Sequence, residues 1–136
     1  MTTRKFAPAV EEAVDEIRKA FPRHSVVAEP DDDGGAFVTV SDLFLGDQYE
    51  PAASWIGFHI TFQYPHADIY PHNTTAALKR RNGQPLGEGF HTGKEWKTPS
   101  RTEPATMMSR KSKDFNAARD TAAVKLRKIL DWTGST

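Results

Sequence analysis

Four side chains that could bind a metal or carry protons lie close together in the chain: His59, His66, Asp68 and His72. Imidazole nitrogens and carboxylate oxygens are competent zinc ligands. Their spacing matches no zinc-binding motif, however, and His66 and His72 each follow a proline that already indicates a turn. The favoured interpretation is histidines hydrogen-bonded to backbone in a turn, and we predict no metal and no other cofactor.

The composition excludes several further kinds of chemistry. The 136 residues include no cysteine, which rules out disulfides, thiolate metal sites and thiol catalysis. Basic and acidic residues number 18 each, so the net charge is zero and we expect neither nucleic acid nor a membrane as partner. Neither a spanning apolar stretch nor an apolar signal region is present in the sequence. We predict one domain, residues 1–136, in the cytoplasm.

One tryptophan has the surroundings of a recognition residue. Trp96 stands in the run Lys-Glu-Trp-Lys of a segment that reads as a polar loop. Tryptophan is enriched at the centres of protein interfaces. We therefore predict that Trp96 contacts a partner.

Two helices are predicted, one near each end of the chain. Residues 7–21 carry apolar residues at helical spacing, with a proline suited to the first turn. Residues 116–132 carry a second apolar stripe. Asn116 is its predicted N-cap and Gly134 its predicted stop.

Strands are predicted between the two helices. Residues 25–29 and 36–45 read as a hairpin, and residues 55–64 alternate strictly between apolar and polar side chains. Residues 74–80 could add a short strand, whereas residues 83–104 read as a long irregular loop because they are rich in Gly, Pro, Thr and charge.

Residues 65–71, called the hook from here on, begin and end with a proline preceded by tyrosine. A proline cannot donate to a strand ladder, so the third strand cannot continue through the hook. The predicted fold class is α+β: an N-terminal helix, a four-stranded antiparallel meander sheet, the proline-rich hook, a long irregular loop of the active-site type and a C-terminal helix.

This element order resembles that of the ubiquitin-conjugating enzymes, and more closely their divergent prokaryotic branch that lacks the catalytic cysteine. Three blocks carry the resemblance: residues 58–71, residues 84–90 and the stretch from residue 104 to residue 132. The resemblance implies a conjugating-enzyme-like fold. It also implies two partners, a ubiquitin-like protein and an activating-enzyme homologue.

The resemblance also implies where the reactive residue would lie. The family places its cysteine after the hook and before the next helix, which on this chain falls near Ser109, or at Ser112 if the alignment shifts. A serine there could form an oxyester with the C-terminus of the modifier. A hydroxyl needs an adjacent base to act at neutral pH, and His72, His91 or Asp114 could supply it.

Two cations next to Ser109 complete the predicted site. Arg110 and Lys111 could stabilise an oxyanion or hold an acidic partner. The family's His-Pro-Asn tripeptide is absent, and the nearest sequence is Pro-His-Asn at residues 71–73. The function we predict is that of a conjugating-enzyme-like component that carries a bacterial ubiquitin-like protein as an oxyester. The alternatives are a catalytically inactive adaptor of the same fold and a small α+β binding domain with a histidine-containing metal site.

Overall fold

The computed structural model describes residues 5–110 and 115–136. The architecture is α+β, as predicted: helix α1 (Pro8–Ala20) precedes a mostly antiparallel sheet, and helix α2 (Ala122–Ser135) follows it. Neither of these helices is long and apolar enough to cross a membrane, and the described residues form no other that is.

The described residues form eight strands. Their bounds are β1 (Val26–Pro30), β2 (Ala36–Phe44), β3 (Tyr49–Glu50), β4 (Ala53–Ile60), β5 (His72–Thr75), β6 (Lys79–Arg80), β7 (Phe90–Thr98) and β8 (Arg101–Met108). Six of them build one sheet in the order β1-β2-β4-β5-β8-β7, and β3 pairs with β6. The prediction of four strands was therefore too low.

Helix α1 forms where its periodicity predicts. Pro8 occupies the first turn, where its missing N–H costs no hydrogen bond. Val10, Val14 and Ile17 are buried on one side of the helix. They belong to a single apolar cluster that also contains the buried side chains of α2 and of the sheet. Both helices thus cover the same core.

The core face of the sheet is built by a row of paired residues that runs across all six strands. The row consists of Ala28, Val38, Phe58, His72, Met108 and Phe90. Strand β4 ends at Ile60, earlier than residue 64, the predicted end. The chain turns there, so that Phe62 is 61% exposed and does not face the core.

The prediction of a long irregular loop over residues 83–104 was wrong. Most of that segment belongs to the β7–β8 hairpin, whose strands pair from Phe90↔Met108 to Thr98↔Arg101. Strand β7 lies at the edge of the sheet and buries only Phe90 and Trp96. An edge strand with so few buried side chains has no alternating pattern, which is why its composition reads as a loop.

The C-terminal helix begins later than predicted. Thr121 is its N-cap, with the side-chain oxygen accepting a hydrogen bond from the Val124 amide. Asn116 instead starts a separate turn, in which its side chain accepts from the Ala118 amide. Gly134, the predicted stop, lies inside the last turn of α2.

Trp96 does not lie in a polar loop, as the sequence suggested. It is 4% exposed, and its indole Nε1 donates to Thr39 Oγ1 on β2 over 3.3 Å. Its ring also lies directly over Gly57 on β4. Strand β7 is separated from β2 and β4 by other strands of the sheet, so the outer part of the hairpin curls across the sheet face opposite the helices. Trp96 fastens it there.

The contact between Trp96 and Gly57 predicts a large effect of one added methyl group. A Cβ at residue 57 would lie 2.5 Å from the indole ring, so Gly57→Ala must displace the hairpin. We expect a loss of about 2 kcal/mol in the free energy of unfolding, as is typical of overpacking. Chemical denaturation followed by tryptophan fluorescence measures the change.

Gly134→Ala is the matched control. No atom lies within 4 Å of a Cβ built at residue 134, which is helical. This substitution should leave stability unchanged or raise it by up to about 1 kcal/mol, because alanine favours a helix. Equal stability of Gly57→Ala and the wild type would contradict the packing described.

Candidate functional site

A backbone hydrogen bond holds the first residue after β8 in place. The Ser109 amide donates to the Gly89 carbonyl over 2.8 Å. Gly89 has φ +90°, and a Cβ on it would lie 2.8 Å from the Trp132 ring. Only glycine satisfies both conditions. Trp132 stacks on Phe90 with 4.7 Å between ring centroids, so the end of α2 is packed against the start of β7.

Arg110 contacts the same tryptophan. Its guanidinium carbon is 5.2 Å from the Trp132 ring centroid, within the range of a cation–π contact. The residue is exposed, so this cation is held at a fixed place on the surface. Lys111, Ser112 and Asp114 lie outside the described residues.

A buried lysine joins the hook to the segment after β8. The Lys125 ammonium donates to Asp68 Oδ2 over 3.1 Å and to the Arg110 carbonyl over 2.6 Å. Both side chains of the ion pair are almost fully buried. We call this set of contacts the Lys125 bridge. Burial lowers the pKa of Lys125 below its usual range, although the Asp68 carboxylate opposes that change.

His72 faces the core at the start of β5. It is fully buried, and its ring centroid lies 4.9 Å from that of Phe58. Neither ring nitrogen has a hydrogen-bond partner among the described residues. Burial first, and then the Lys125 ammonium, lower the pKa of His72 to about 3, against the opposing effect of Asp68. The ring is therefore neutral at neutral pH.

The second predicted base lies on the opposite face of the sheet. His91 pairs in register with Met107, whereas its neighbour Phe90 belongs to the core row. Because successive side chains of a strand alternate between faces, His91 is directed away from His72. It is exposed.

The structure thus brings together some of the predicted site residues and separates others. Ser109 and Arg110 adjoin the Lys125 bridge, but within residues 5–110 and 115–136 the Ser109 hydroxyl has no hydrogen bond to His72 or to His91. A serine without a bonded base is a poor nucleophile at neutral pH. What the arrangement can do is hold the Ser109–Arg110 backbone rigidly and present the Arg110 cation.

Sequence reasoning missed Lys125. Its signal was a basic residue inside the apolar stripe of α2, between Ala122 and Ile129. In the sequence, Asp68 stands out only as a possible metal ligand. Across the described part of the chain, no three His, Cys, Asp or Glu side chains are grouped so that they could hold a metal ion.

The Lys125 bridge predicts an asymmetric mutational response. Lys125→Met leaves the Asp68 carboxylate buried without this cation, which typically costs about 3 kcal/mol of unfolding free energy. Adding Asp68→Asn removes the buried charge, so the double variant should be more stable than Lys125→Met alone. Urea denaturation of both variants measures the difference.

Lys97→Met serves as the control for this pair. Lys97 forms an exposed ion pair with Glu95 at 3.5 Å, and the loss of such a pair costs less than about 1 kcal/mol. If Lys97→Met and Lys125→Met destabilised the protein equally, the bridge would have no special role in stability.

His72 predicts how acid affects the fold. In the unfolded chain the imidazole takes up a proton near pH 6.5, whereas in the fold its pKa is about 3. Between these two pH values the unfolded state binds more protons than the folded state. The contribution of His72 to the free energy of unfolding is therefore complete above pH 6.5 and is lost as the pH falls. We expect His72 to account for a loss of about 2 kcal/mol between pH 7.5 and pH 5.

The measurement is the free energy of unfolding in urea at a series of pH values. His72→Leu should remove that part of the acid sensitivity, whatever its effect at pH 7.5. His91→Leu is the control, because His91 is exposed, and it should keep the pH profile of the wild type. An unchanged profile in His72→Leu would show that the buried ring is not the cause.

Comparison with known proteins yields no match. The chain matches no family model, no curated protein sequence and no solved structure. The resemblance to conjugating enzymes therefore rests on the three sequence blocks, and the function must be argued from the residues themselves.

Proposed function

We propose that this protein is a conjugating-enzyme-like component of a bacterial ubiquitin-like protein modification pathway in the cytoplasm, and that it acts there as a non-catalytic adaptor. Its partners would be an activating-enzyme homologue or a ubiquitin-like protein. In this role it binds its partner without forming an acyl intermediate.

The observation that carries the proposal is that, within residues 5–110 and 115–136, the Ser109 hydroxyl is hydrogen-bonded to no histidine. Formation of an oxyester needs a base that removes the serine proton. His72 belongs to the Pro-His-Asn run, the nearest sequence to the family's absent His-Pro-Asn tripeptide; it is fully buried and has a pKa of about 3. His91 faces away on the opposite side of the sheet. Neither is placed to activate Ser109.

The contacts around Ser109 support a binding role. The Ser109 amide donates to the Gly89 carbonyl, and the Arg110 carbonyl accepts from the Lys125 ammonium. The Arg110 guanidinium, by contrast, is exposed and rests on Trp132. A guanidinium that is already ordered loses little side-chain entropy when it binds a carboxylate. Arg110 is therefore the proposed contact to an acidic patch on the partner.

The test uses the activating-enzyme homologue and the ubiquitin-like protein of the same organism, together with ATP. The adaptor predicts a complex detectable by calorimetry, no hydroxide-labile adduct by intact mass, and unchanged affinity in Ser109→Ala and in the double variant Ser109→Ala/Ser112→Ala. Arg110→Glu should weaken the complex about tenfold, which corresponds to roughly 1.4 kcal/mol.

Lys79→Glu is the control for charge reversal, because Lys79 is an exposed cation on β6. Two outcomes would overturn the proposal. A thiol-resistant, hydroxide-labile adduct that disappears in Ser109→Ala would establish the oxyester carrier. Failure to bind either partner would show that the protein does not act in this pathway.

A further inference from the structure

A second surface has the features of a peptide-binding groove. It has a volume of about 440 Å³ and lies between the end of α1, the end of β2 and one side of α2. This volume falls in the range of about 300–1,000 Å³ usual for ligand pockets. Phe21, Leu43 and Leu130 contribute apolar lining. Phe44, at the rim, is 59% exposed.

Arginine side chains supply the charge of this groove. Arg127 is held with its guanidinium carbon 4.9 Å from the Phe21 ring centroid, and it donates to the Ala20 carbonyl over 3.0 Å. A guanidinium has five N–H groups, so others remain for a ligand. Arg23 is exposed and forms no ion pair within the described residues.

The other titratable side chains of the groove are His24 and Asp42. The His24 Nδ1 atom lies 2.9 Å from the Ser41 carbonyl oxygen. A carbonyl can only accept, so Nδ1 carries the proton. Asp42 is exposed and is the one acidic residue among the described residues that line the groove. Two arginines against one carboxylate leave a net positive lining.

We propose that this groove is a docking site for an acidic peptide segment that carries one apolar anchor residue. The anchor would pack against Phe44 and the apolar lining, while carboxylates of the segment pair with Arg23 and Arg127. Arginine binds carboxylates in a bidentate manner, and aromatic residues and arginine are the side chains most enriched at interface hot spots. Neither Ser109 nor a ubiquitin-like protein takes part.

Charge argues against a second copy of the chain as the occupant. In a symmetric dimer the same patch meets itself, so the Arg23 and Arg127 side chains of both copies would crowd together. Like charges that face each other across an interface cost free energy. An acidic segment would instead place opposite charges together, since its carboxylates would pair with the arginines of the groove.

The probe is a fluorescein-labelled peptide in which a central leucine is flanked by glutamate and aspartate residues. We expect saturable binding to the wild-type protein by fluorescence anisotropy. Replacing the leucine by serine, or all acids by their amides, should weaken binding about tenfold or more. On the protein side, Phe44→Ser and Arg23→Glu should each cause a similar loss.

Two matched variants control for non-specific effects. Phe62→Ser removes an aromatic side chain that is 61% exposed outside the groove, and Lys94→Glu reverses an exposed cation on β7. Both should bind the peptide as the wild type does. Thermal unfolding of every variant verifies that the fold is kept, which is expected because all four side chains are exposed.

Three outcomes would overturn the proposal. The first is no saturable binding of the acidic peptide to the wild type. The second is an equal loss of binding in Phe62→Ser or Lys94→Glu, which would indicate non-specific attraction. The third is concentration-dependent self-association in sedimentation that disappears in Phe44→Ser, which would assign the groove to a second copy. Each result is independent of whether Ser109 forms an oxyester.

Discussion

The buried ammonium group of Lys125 fixes the relative positions of three parts of the molecule that the sheet alone does not join. Asp68 belongs to the hook, Arg110 follows β8, and Lys125 itself lies in α2. An ammonium group taken out of water is costly unless oxygen atoms surround it. Movement of α2 relative to the hook would break the ion pair between Lys125 and Asp68. The segment that begins at Ser109 is therefore anchored by an electrostatic requirement as well as by packing.

Burial, with the Lys125 ammonium as the second cause, keeps His72 uncharged. A second positive charge in the core, next to the Lys125 ammonium, would add repulsion to the cost of burial. The imidazole therefore stays neutral and fills space beside Phe58. A histidine in this state stabilises the core but cannot exchange protons with a bound substrate. Burial beside the Lys125 ammonium thus removes His72 from acid–base chemistry.

Parts of this fold could be predicted from sequence because one buried face determines them. Helix α1 and strand β4 each place apolar residues on a single side, and the observed burial agrees with their periodicity. Strand β7 could not be predicted from such a periodicity. It forms because β8 pairs with it and because Trp96 reaches Gly57 and Thr39, which are distant in sequence.

The candidate site also has a part that the sequence could suggest and a part that only the fold shows. Its serine and arginine were suggested by the resemblance to conjugating enzymes, which points to the segment after the hook and before the last helix. Its lysine was visible as a basic residue in an apolar stripe, but the stripe does not reveal which oxygen atoms accept hydrogen bonds from its ammonium group. Those are Asp68 and the Arg110 carbonyl, which only the folded chain brings to Lys125.

The binding proposed for this protein relies on locally fixed charges, because its net charge is zero. Such a chain exerts little long-range attraction on a polyanion. It does hold arginines over aromatic rings: Arg110 over Trp132 and Arg127 over Phe21. A guanidinium ordered in this way offers its remaining N–H groups in a defined direction, so it favours a carboxylate at a matching position over diffuse negative charge. Recognition of acidic protein segments needs this geometry, whereas general binding to nucleic acid needs an excess of positive charge that the chain does not have.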